Sequence, residues 1–249
     1  MGLAREPESS LAAEVLPPPL YRALRHVFAQ DIDGMMLVGG TALAGYYAGH
    51  RRSDDLDLFT ADGPAQNAAI LAVASLGELG ATFADERSSA RFHHAASRLD
   101  GHDFTTQVVL DPHVFAIGGA SKAADGVAVA DLETLLKMKA ATLVSRASEK
   151  DLCDLAWFFR QDDRLDVSTL IALGAEVDNG MNGEAVLTNL IGTQLRQSAC
   201  GFSRSRDPEE VFAEVSRVRE ALIKGVDRFL RSQPPPPIAE LIRKLASGV

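Results

Sequence analysis

Residues 35–59 read MMLVGGTALAGYYAGHRRSDDLDLF, and most of the predicted architecture follows from this stretch. Residues 35–38 form a short apolar run, which predicts a buried strand. The run stops at Gly39 and Gly40, where a sharp turn is expected. Thr41 is a favoured N-cap residue type, so a helix is predicted to begin directly after it. The first half of the stretch therefore predicts a strand, a glycine turn and a short helix.

The second half of the stretch predicts a strand with one acidic face. Leu56 and Leu58 alternate with Asp55 and Asp57, which is the period-two pattern of a half-buried strand. Residues two apart on a strand lie on the same face, about 6.5–7 Å from each other. Two carboxylates held this way repel each other unless a cation lies between them. Oxygen ligands of this kind suit Mg²⁺, which commonly uses one or two carboxylates together with substrate phosphates.

Outside this stretch, the pattern of apolar residues predicts an α/β part followed by a helical part. An Asp100-Gly101 turn predicts a hairpin between strands at 89–98 and 103–110, and a short strand is expected at 127–129. Helices are predicted at 19–30, 42–48, 65–77, 131–145, 149–161, 167–178, 183–197, 208–232 and 238–246. The fold class is therefore α+β, with a mixed sheet flanked by helices and a C-terminal α-helical region.

The same pattern suggests three parts of the chain. Residues 1–16 are polar and precede three prolines, so they are expected to be a flexible lead-in. Residues 17–130 would form the α/β core and residues 131–249 the helical region.

Composition excludes several classes of protein. The 249 residues carry a net charge of −9, which argues against a protein that coats nucleic acid non-specifically. The acidic excess lies in the first 200 residues, since the last 49 hold nine basic and seven acidic side chains. Two isolated cysteines give neither a disulfide framework nor a zinc site, and the longest uncharged stretch, residues 34–49, is too short to cross a bilayer. A cytoplasmic protein with no membrane segment is expected.

Gly39, Gly40 and Thr41 form a candidate phosphate-binding turn. Glycines allow the backbone to approach a ligand closely, and free N–H groups at a helix start favour an anion. A tight turn with no ligand is the commoner meaning of such a pair taken alone. The nearby Asp55 and Asp57 change this balance, because they would place a metal site beside the turn.

Residues 38–43 and 49–59 together resemble the nucleotidyltransferase signature of the AbiEii/AbiGii toxin family, whose members are similar to DNA polymerase β-type minimal nucleotidyltransferases. A second block resembles the family's helical motif, and it comprises Lys139, Arg146, Lys150-Asp151 and Asp154-Leu155. The resemblance spans about residues 20–160 and implies a toxin–antitoxin or abortive-infection role, with a cognate antitoxin from an adjacent gene as partner.

The resemblance also implies the site and its chemistry. Asp55 and Asp57 would be the catalytic residues and would ligate Mg²⁺ or Mn²⁺, while an NTP donates a nucleoside monophosphate to an acceptor hydroxyl, such as that of an RNA or tRNA end. The nucleotide-binding residues would be Gly39, Gly40, Thr41, Arg51, Ser53, Lys139, Arg146 and Asp151.

One position departs from the family pattern. The family places a third carboxylate, the general base, on a neighbouring strand, and Gln107 takes that place here. Glutamine cannot accept the proton of a hydroxyl at neutral pH. Asp103 and Asp111 share its strand parity but lie four residues away, about 13 Å along a strand. Two other functions therefore stay open: a degenerate protein that binds nucleotide without transferring it, and a small-molecule nucleotidyltransferase of the antibiotic-modifying type.

The helical block has a geometry of its own. Lys139 and Arg146 are seven residues apart, so on one continuous helix they would share a face that could contact phosphates. Asp151 could instead cap a helix start or pair with this basic stripe. His93 and His94 alternate across a strand and cannot both face one metal ion.

Overall fold

The computed structural model describes residues 5–247. The strands are β1 (Met35–Val38), β2 (Asp55–Thr60), β3 (Thr82–Ser89), β4 (Phe92–Leu99), β5 (His102–Leu110), β6 (Ala120–Lys122) and β7 (Ala128–Ala130). The α-helices are α1 (Ser9–Val15), α2 (Pro18–Phe28), α3 (Gly39–Leu43), α4 (Gly63–Ala74), α5 (Pro112–Ile117), α6 (Leu132–Ala141), α7 (Glu149–Gln161), α8 (Val167–Ala175), α9 (Gly183–Gly192), α10 (Pro208–Leu230) and α11 (Ile238–Ser247). A π-helix at Ala44–Ala48 continues α3, and 3-10 turns occur at Ser75–Leu79, Thr142–Val144 and Gln197–Ala199.

The chain divides between Leu135 and Leu136 into two compact units, and the division falls within α6. The N-terminal unit contains one seven-stranded sheet in the order β3-β4-β5-β2-β1-β7-β6. The pairs β2–β5 and β1–β7 are parallel and the other neighbours are antiparallel, so the sheet is mixed as predicted. The predicted α+β class, with helices flanking the sheet and a helical region after it, is confirmed.

The sheet has one buried face and one open face, because its strands alternate as the sequence pattern predicts. Leu56, Leu58, Phe104, Thr106 and Val108 are buried, and α2 and α4 pack against the strands that carry them. The opposite side chains of β2, β4 and β5 are half-buried or, at Arg98 and Asp103, exposed. We call this second side the open face, and both members of the predicted acidic pair lie on it.

The predicted hairpin is present. Strands β4 and β5 pair antiparallel with Leu99 opposite His102, so Asp100 and Gly101 form a two-residue turn. Both turn residues have positive φ, at 50° and 80°, as a type I′ turn requires. The turn fixes the register of the whole pair: each residue before it lies opposite the residue equally far after it.

Three local predictions are wrong. Residues 9–15, expected to be part of a flexible lead-in, form α1, which buries Ala12 and Val15; residues 1–4 of that segment lie outside the described residues. Thr41 is not an N-cap, because α3 begins two residues earlier at Gly39. The predicted helix at 131–145 ends as α-helix at residue 141, passes into a 3-10 turn and stops before a positive φ of 42° at Ala147.

Strand β3 was not predicted, since its residues TFADERSS are mostly exposed and polar and carry little apolar alternation. Within the C-terminal unit, α10 packs against α7, α8, α9 and α11, and its buried residues repeat at helical spacing from Val211 to Val226. No helix within residues 5–247 combines the length and the apolar character needed to cross a membrane.

Candidate functional site

Asp57 lies where three strands come together. In the sheet register it is opposite Val38, the last residue of β1, and beside Gln107 on the parallel strand β5. Gly39 follows Val38 with a φ of 70°, and a β-carbon at Gly39 would overlap the Asp57 carboxylate, lying 3.0 Å from its Cγ. The turn after β1 therefore passes directly against Asp57, and it can do so because Gly39 has no side chain.

The next part of the turn rests on a buried polar group. A β-carbon at Gly40 would meet the Arg51 guanidinium, and Thr41 Oγ1 is 3.0 Å from Ser53 Oγ. Thr41 also donates a hydrogen bond to the backbone carbonyl of Asp55. The side chains of Thr41, Arg51 and Ser53 are buried. They hold the β1–α3 turn against the segment that enters β2, and their predicted contact with nucleotide stays a prediction.

Asp55 lies at the start of β2, beside Thr105 of β5 in the register. Thr105 Oγ1 donates a 2.5 Å hydrogen bond to Asp55 Oδ1, which orients the carboxylate on the open face. Ala96 of β4 and Ala84 of β3 continue the same row across the sheet. These residues line an open cavity of about 450 Å³, so small apolar side chains form part of the surface next to Asp55.

The π-helix that follows the turn is held by side chains from other parts of the N-terminal unit. Tyr46, in the π-helix, donates a 2.9 Å hydrogen bond to Asp125, which also accepts a 2.8 Å bond from Tyr21 of α2. Burial, together with the adjacent Asp125 carboxylate, raises the pKa of Tyr46 far above its ordinary value, so this phenol stays a donor. Leu16 packs over Gly45 of the same π-helix. The glycine turn is thus held by α1, α2 and the β6–β7 connection.

Gly39→Ala should cost more than its backbone conformation alone explains. A left-handed φ costs an ordinary residue about 1–2 kcal/mol, and the overlap with Asp57 adds to this. We expect a larger loss of unfolding free energy than for the matched variant Gly80→Ala, where φ is 89° but nothing lies within 4 Å of the added carbon. Urea unfolding of both variants measures the difference. Equal losses would contradict the close packing of Gly39 on Asp57.

The residues of the second motif come together within the C-terminal unit. Lys139 Nζ lies 3.0 Å from Asp151 Oδ1 and 2.7 Å from Asp154 Oδ2, and all three side chains are at most 7 % exposed. Arg146 reaches the other oxygen of Asp151 at 2.9 Å while keeping 65 % of its side chain exposed. Ser148 caps α7 and forms a capping box with Asp151. We call Lys139, Arg146, Asp151 and Asp154 the buried ionic cluster.

This cluster corrects the predicted basic stripe. Lys139 and Arg146 do not share a helical face, because α6 ends between them; they converge on Asp151 instead. Both roles considered for Asp151 are present, since it forms the capping box of α7 and pairs with Lys139 and Arg146. Nucleotide binding by Lys139, Arg146 and Asp151 stays a prediction.

The cluster should make stability depend on acid pH. Burial raises the pKa of Asp151, but Lys139, Arg146 and the Ser148 hydroxyl outweigh it, so the net pKa lies below its ordinary value near 3.8. A carboxyl with a lowered folded pKa stabilises fully above its unfolded pKa, and this stability is lost as pH falls through the folded value. We expect the urea concentration at the unfolding midpoint to decrease as the pH is lowered below about 4.

Asp151→Asn should flatten that dependence, and Asp163→Asn, at an exposed carboxyl just after α7, should not. Urea midpoints measured from pH 6 to 2.5 compare the three proteins. An unchanged slope in Asp151→Asn would contradict this source of the acid sensitivity.

Asp55 and Asp57 fit a hard cation as a two-carboxylate site. They lie on one face two residues apart on β2, and an open cavity of about 450 Å³ lies beside Asp55. Within residues 5–247, no group of three or more His, Cys, Asp or Glu side chains is arranged to hold a metal ion. A Mg²⁺ or Mn²⁺ ion held by these two carboxylates would therefore need substrate phosphates to complete its coordination, which is common for Mg²⁺.

Sequence reasoning located Gln107 correctly, since it lies directly beside Asp57. It missed His94, which is opposite Gln107 on β4 and half-buried on the open face, whereas His93 is buried and bonded to Ser88. The signal was available: a two-residue turn at Asp100-Gly101 places His94 and Gln107 opposite each other. Of the predicted site residues, the N-terminal unit brings together Gly39, Gly40, Thr41, Arg51, Ser53, Asp55 and Asp57.

Comparison with known proteins adds the family. The family model described as nucleotidyl transferase AbiEii toxin, Type IV TA system, matches residues 22–240. The fold is similar to that of the nucleotidyltransferase toxin MenT4 from Mycobacterium tuberculosis, at 17 % identity and a TM-score of 0.52 over 95 % of this chain and 98 % of that one. JHP933 from Helicobacter pylori gives 15 % identity and a TM-score of 0.49 over 90 % and 97 % of the two chains. No curated protein sequence matches this chain.

Proposed function

This chain belongs to the AbiEii family of nucleotidyltransferase toxins, and we propose that it transfers a nucleoside monophosphate from an NTP to a hydroxyl at the end of an RNA. Membership of a toxin family in a Type IV toxin–antitoxin system implies an antitoxin partner. What we propose beyond the family is that the donor is an NTP, that the metal is Mg²⁺ or Mn²⁺, and that the acceptor is an RNA hydroxyl.

One observation carries the proposal. Asp55 and Asp57 lie on the same open face of β2, and the Gly39 turn passes directly against Asp57. A phosphate chain bound along the backbone of that turn would lie beside both carboxylates. Without a bound cation between them, two like charges placed this way lower the stability of the fold. The turn and the carboxylates are therefore best explained as two parts of one NTP site.

The residues divide the work as follows. The backbone N–H groups of Gly39, Gly40 and Thr41 would bind the phosphate chain, as glycine-rich turns commonly do. Asp55 and Asp57 would hold Mg²⁺, which when bound neutralises phosphate charge and so favours attack on the α-phosphorus. Thr105 keeps the Asp55 carboxylate oriented through its hydrogen bond. The acceptor hydroxyl would approach from the open face.

The direct experiment supplies each of the four α-³²P-labelled NTPs in turn, with Mg²⁺ and total RNA. We expect label on RNA from the wild-type protein and none after EDTA treatment. NTP binding with no transfer to RNA or to small molecules would reject the proposal. Label on a small molecule alone would instead indicate the antibiotic-modifying type of reaction.

The second candidate function is nucleotide binding without transfer, and one observation favours it. The position beside Asp57 is occupied by Gln107, which cannot take a proton from the acceptor. Under this alternative the same labelled NTPs would bind, with a measurable dissociation constant in Mg²⁺, and no label would be transferred to RNA or to a small molecule.

The toxin role is tested separately from the chemistry. We expect induced expression to arrest growth and co-expression of an adjacent gene to relieve the arrest.

A further inference from the structure

One row of side chains crosses the open face at the level of Asp57. Asp57 of β2 lies beside Gln107 of β5, Gln107 lies opposite His94 of β4, and His94 lies opposite Arg87 of β3. We call these four residues the Asp57 row. Side chains directly opposite each other on paired antiparallel strands have Cβ atoms about 4.5–5.5 Å apart, so His94 lies next to Gln107, and Asp57 is one further strand away on the same face.

The reaction proposed above needs a group that accepts the hydroxyl proton, and the carboxylates near the row are committed elsewhere. Asp55 and Asp57 are the proposed metal ligands. Asp103 pairs with Arg98 at 2.8 Å on the exposed end of the hairpin. Asp111 accepts hydrogen bonds from the His113 and Val114 backbone N–H groups and caps α5. Neither carboxylate considered as a substitute for the family's base is therefore placed for this role.

We propose that His94 is the general base of this enzyme and accepts the proton of the attacking hydroxyl, either directly or through one water molecule. This inference rests on the proposed function. An imidazole is the commonest general base in proteins and changes charge between about pH 5 and 8, a range in which glutamine has no titration. Stacking of the His94 ring on Phe92, at 6.2 Å between centroids and 6° between planes, orients it on the open face.

The proposed step balances. The acceptor O–H bond breaks and its proton moves to the free ring nitrogen of His94. The oxygen forms a bond to the α-phosphorus of the NTP, and the bond from that phosphorus to the pyrophosphate oxygen breaks with its electron pair. Pyrophosphate leaves, and His94 releases the proton to solvent before the next turnover.

Two charged residues flank His94 in the sheet register. Arg87 of β3 lies opposite it, on the side away from Gln107. Asp57 lies beyond Gln107, which separates it from His94. On the strand face that His94 shares with Phe92 and Ala96, the next charged side chain is Arg98, which is paired with Asp103.

The experiment compares His94→Gln, His94→Gln/Gln107→Asp and the matched control His113→Gln, an exposed histidine outside the sheet. Transfer of label from α-³²P NTPs to total RNA is measured from pH 5 to 8.5. We expect His94→Gln to lower kcat about 10²–10⁴-fold, and Gln107→Asp in that background to restore at least tenfold. In the restored variant the acid limb should move from the histidine range to below about pH 5.

Binding of a fluorescent NTP analogue in Mg²⁺ supplies a readout that does not depend on turnover, and its Kd should be the same in wild-type protein and His94→Gln. Three outcomes would overturn the inference: a kcat for His94→Gln equal to that of His113→Gln, an acid limb that does not move in the double variant, or loss of NTP affinity equal to the loss of rate. A wild-type protein that labels nothing would overturn the proposed function and this inference together; an active wild type with an active His94→Gln overturns this inference alone.

Discussion

Asp57→Asn should reduce transfer of nucleotide to RNA by at least about 10³-fold, which corresponds to about 4 kcal/mol of transition-state stabilisation. Asp57 is the carboxylate against which the Gly39 turn packs and beside which Gln107 lies. Asparagine keeps the shape but removes the charge that would hold Mg²⁺. The measurement is the initial rate with α-³²P NTP at saturating Mg²⁺.

The matched control for this change is Asp100→Asn. Asp100 has a φ of 50° in the β4–β5 turn, and Asn-Gly is a favoured type I′ pair, so fold and rate should both be preserved. Full activity in Asp57→Asn would contradict the proposed metal site.

Lys139→Met should lower the free energy of unfolding by about 3–5 kcal/mol, the cost of leaving a buried charge without its partner. Methionine keeps most of the alkyl stem and removes the ammonium group. Asp154, which has 0 % of its side chain exposed, would lose its 2.7 Å ion pair. Urea unfolding at pH 7 measures the loss.

The same substitution two residues away is the control. Lys137 is also buried, with 8 % exposure, but its partner Glu176 is 44 % exposed and can be solvated when the lysine is removed. Lys137→Met should therefore cost only about 1 kcal/mol or less. The double variant Lys139→Met/Asp154→Asn should recover part of the loss, because it removes the buried carboxylate charge. A double variant no more stable than Lys139→Met would show that the lost charge pair is not the source of the destabilisation.

The predictions that held depend on short-range pattern. The acidic and apolar faces of β2 follow from alternation at Asp55–Leu58, and the Asp100-Gly101 turn fixes the register that brings Gln107 to Asp57. Both signals involve a few consecutive residues and a regular geometry. Most of the N-terminal part of the candidate site could for that reason be located from the sequence.

The errors arise where tertiary contacts decide. The sequence before the prolines is polar, and α1 is held by contacts with distant residues, such as the hydrogen bond from Glu8 N–H to the Tyr46 carbonyl. Lys139 and Arg146 have helical spacing, but the break at Ala147 bends the chain so that both meet Asp151. His94 and Gln107 are 13 residues apart, and only the register set by the Asp100-Gly101 turn places them opposite each other.

The packing of the glycines has a consequence for genetics. If induced expression kills the host, colonies that survive will carry loss-of-function alleles, and missense alleles should concentrate where an added carbon cannot be tolerated. Gly39 and Gly40 meet Asp57 and Arg51, and Gly225 meets Val167, whereas Gly63 and Gly77 have nothing within 4 Å. Sequencing of survivors should therefore find substitutions at codons 39, 40 and 225 repeatedly and at codons 63 and 77 rarely. The selected positions would then identify residues of the candidate site and of the core without a biochemical assay.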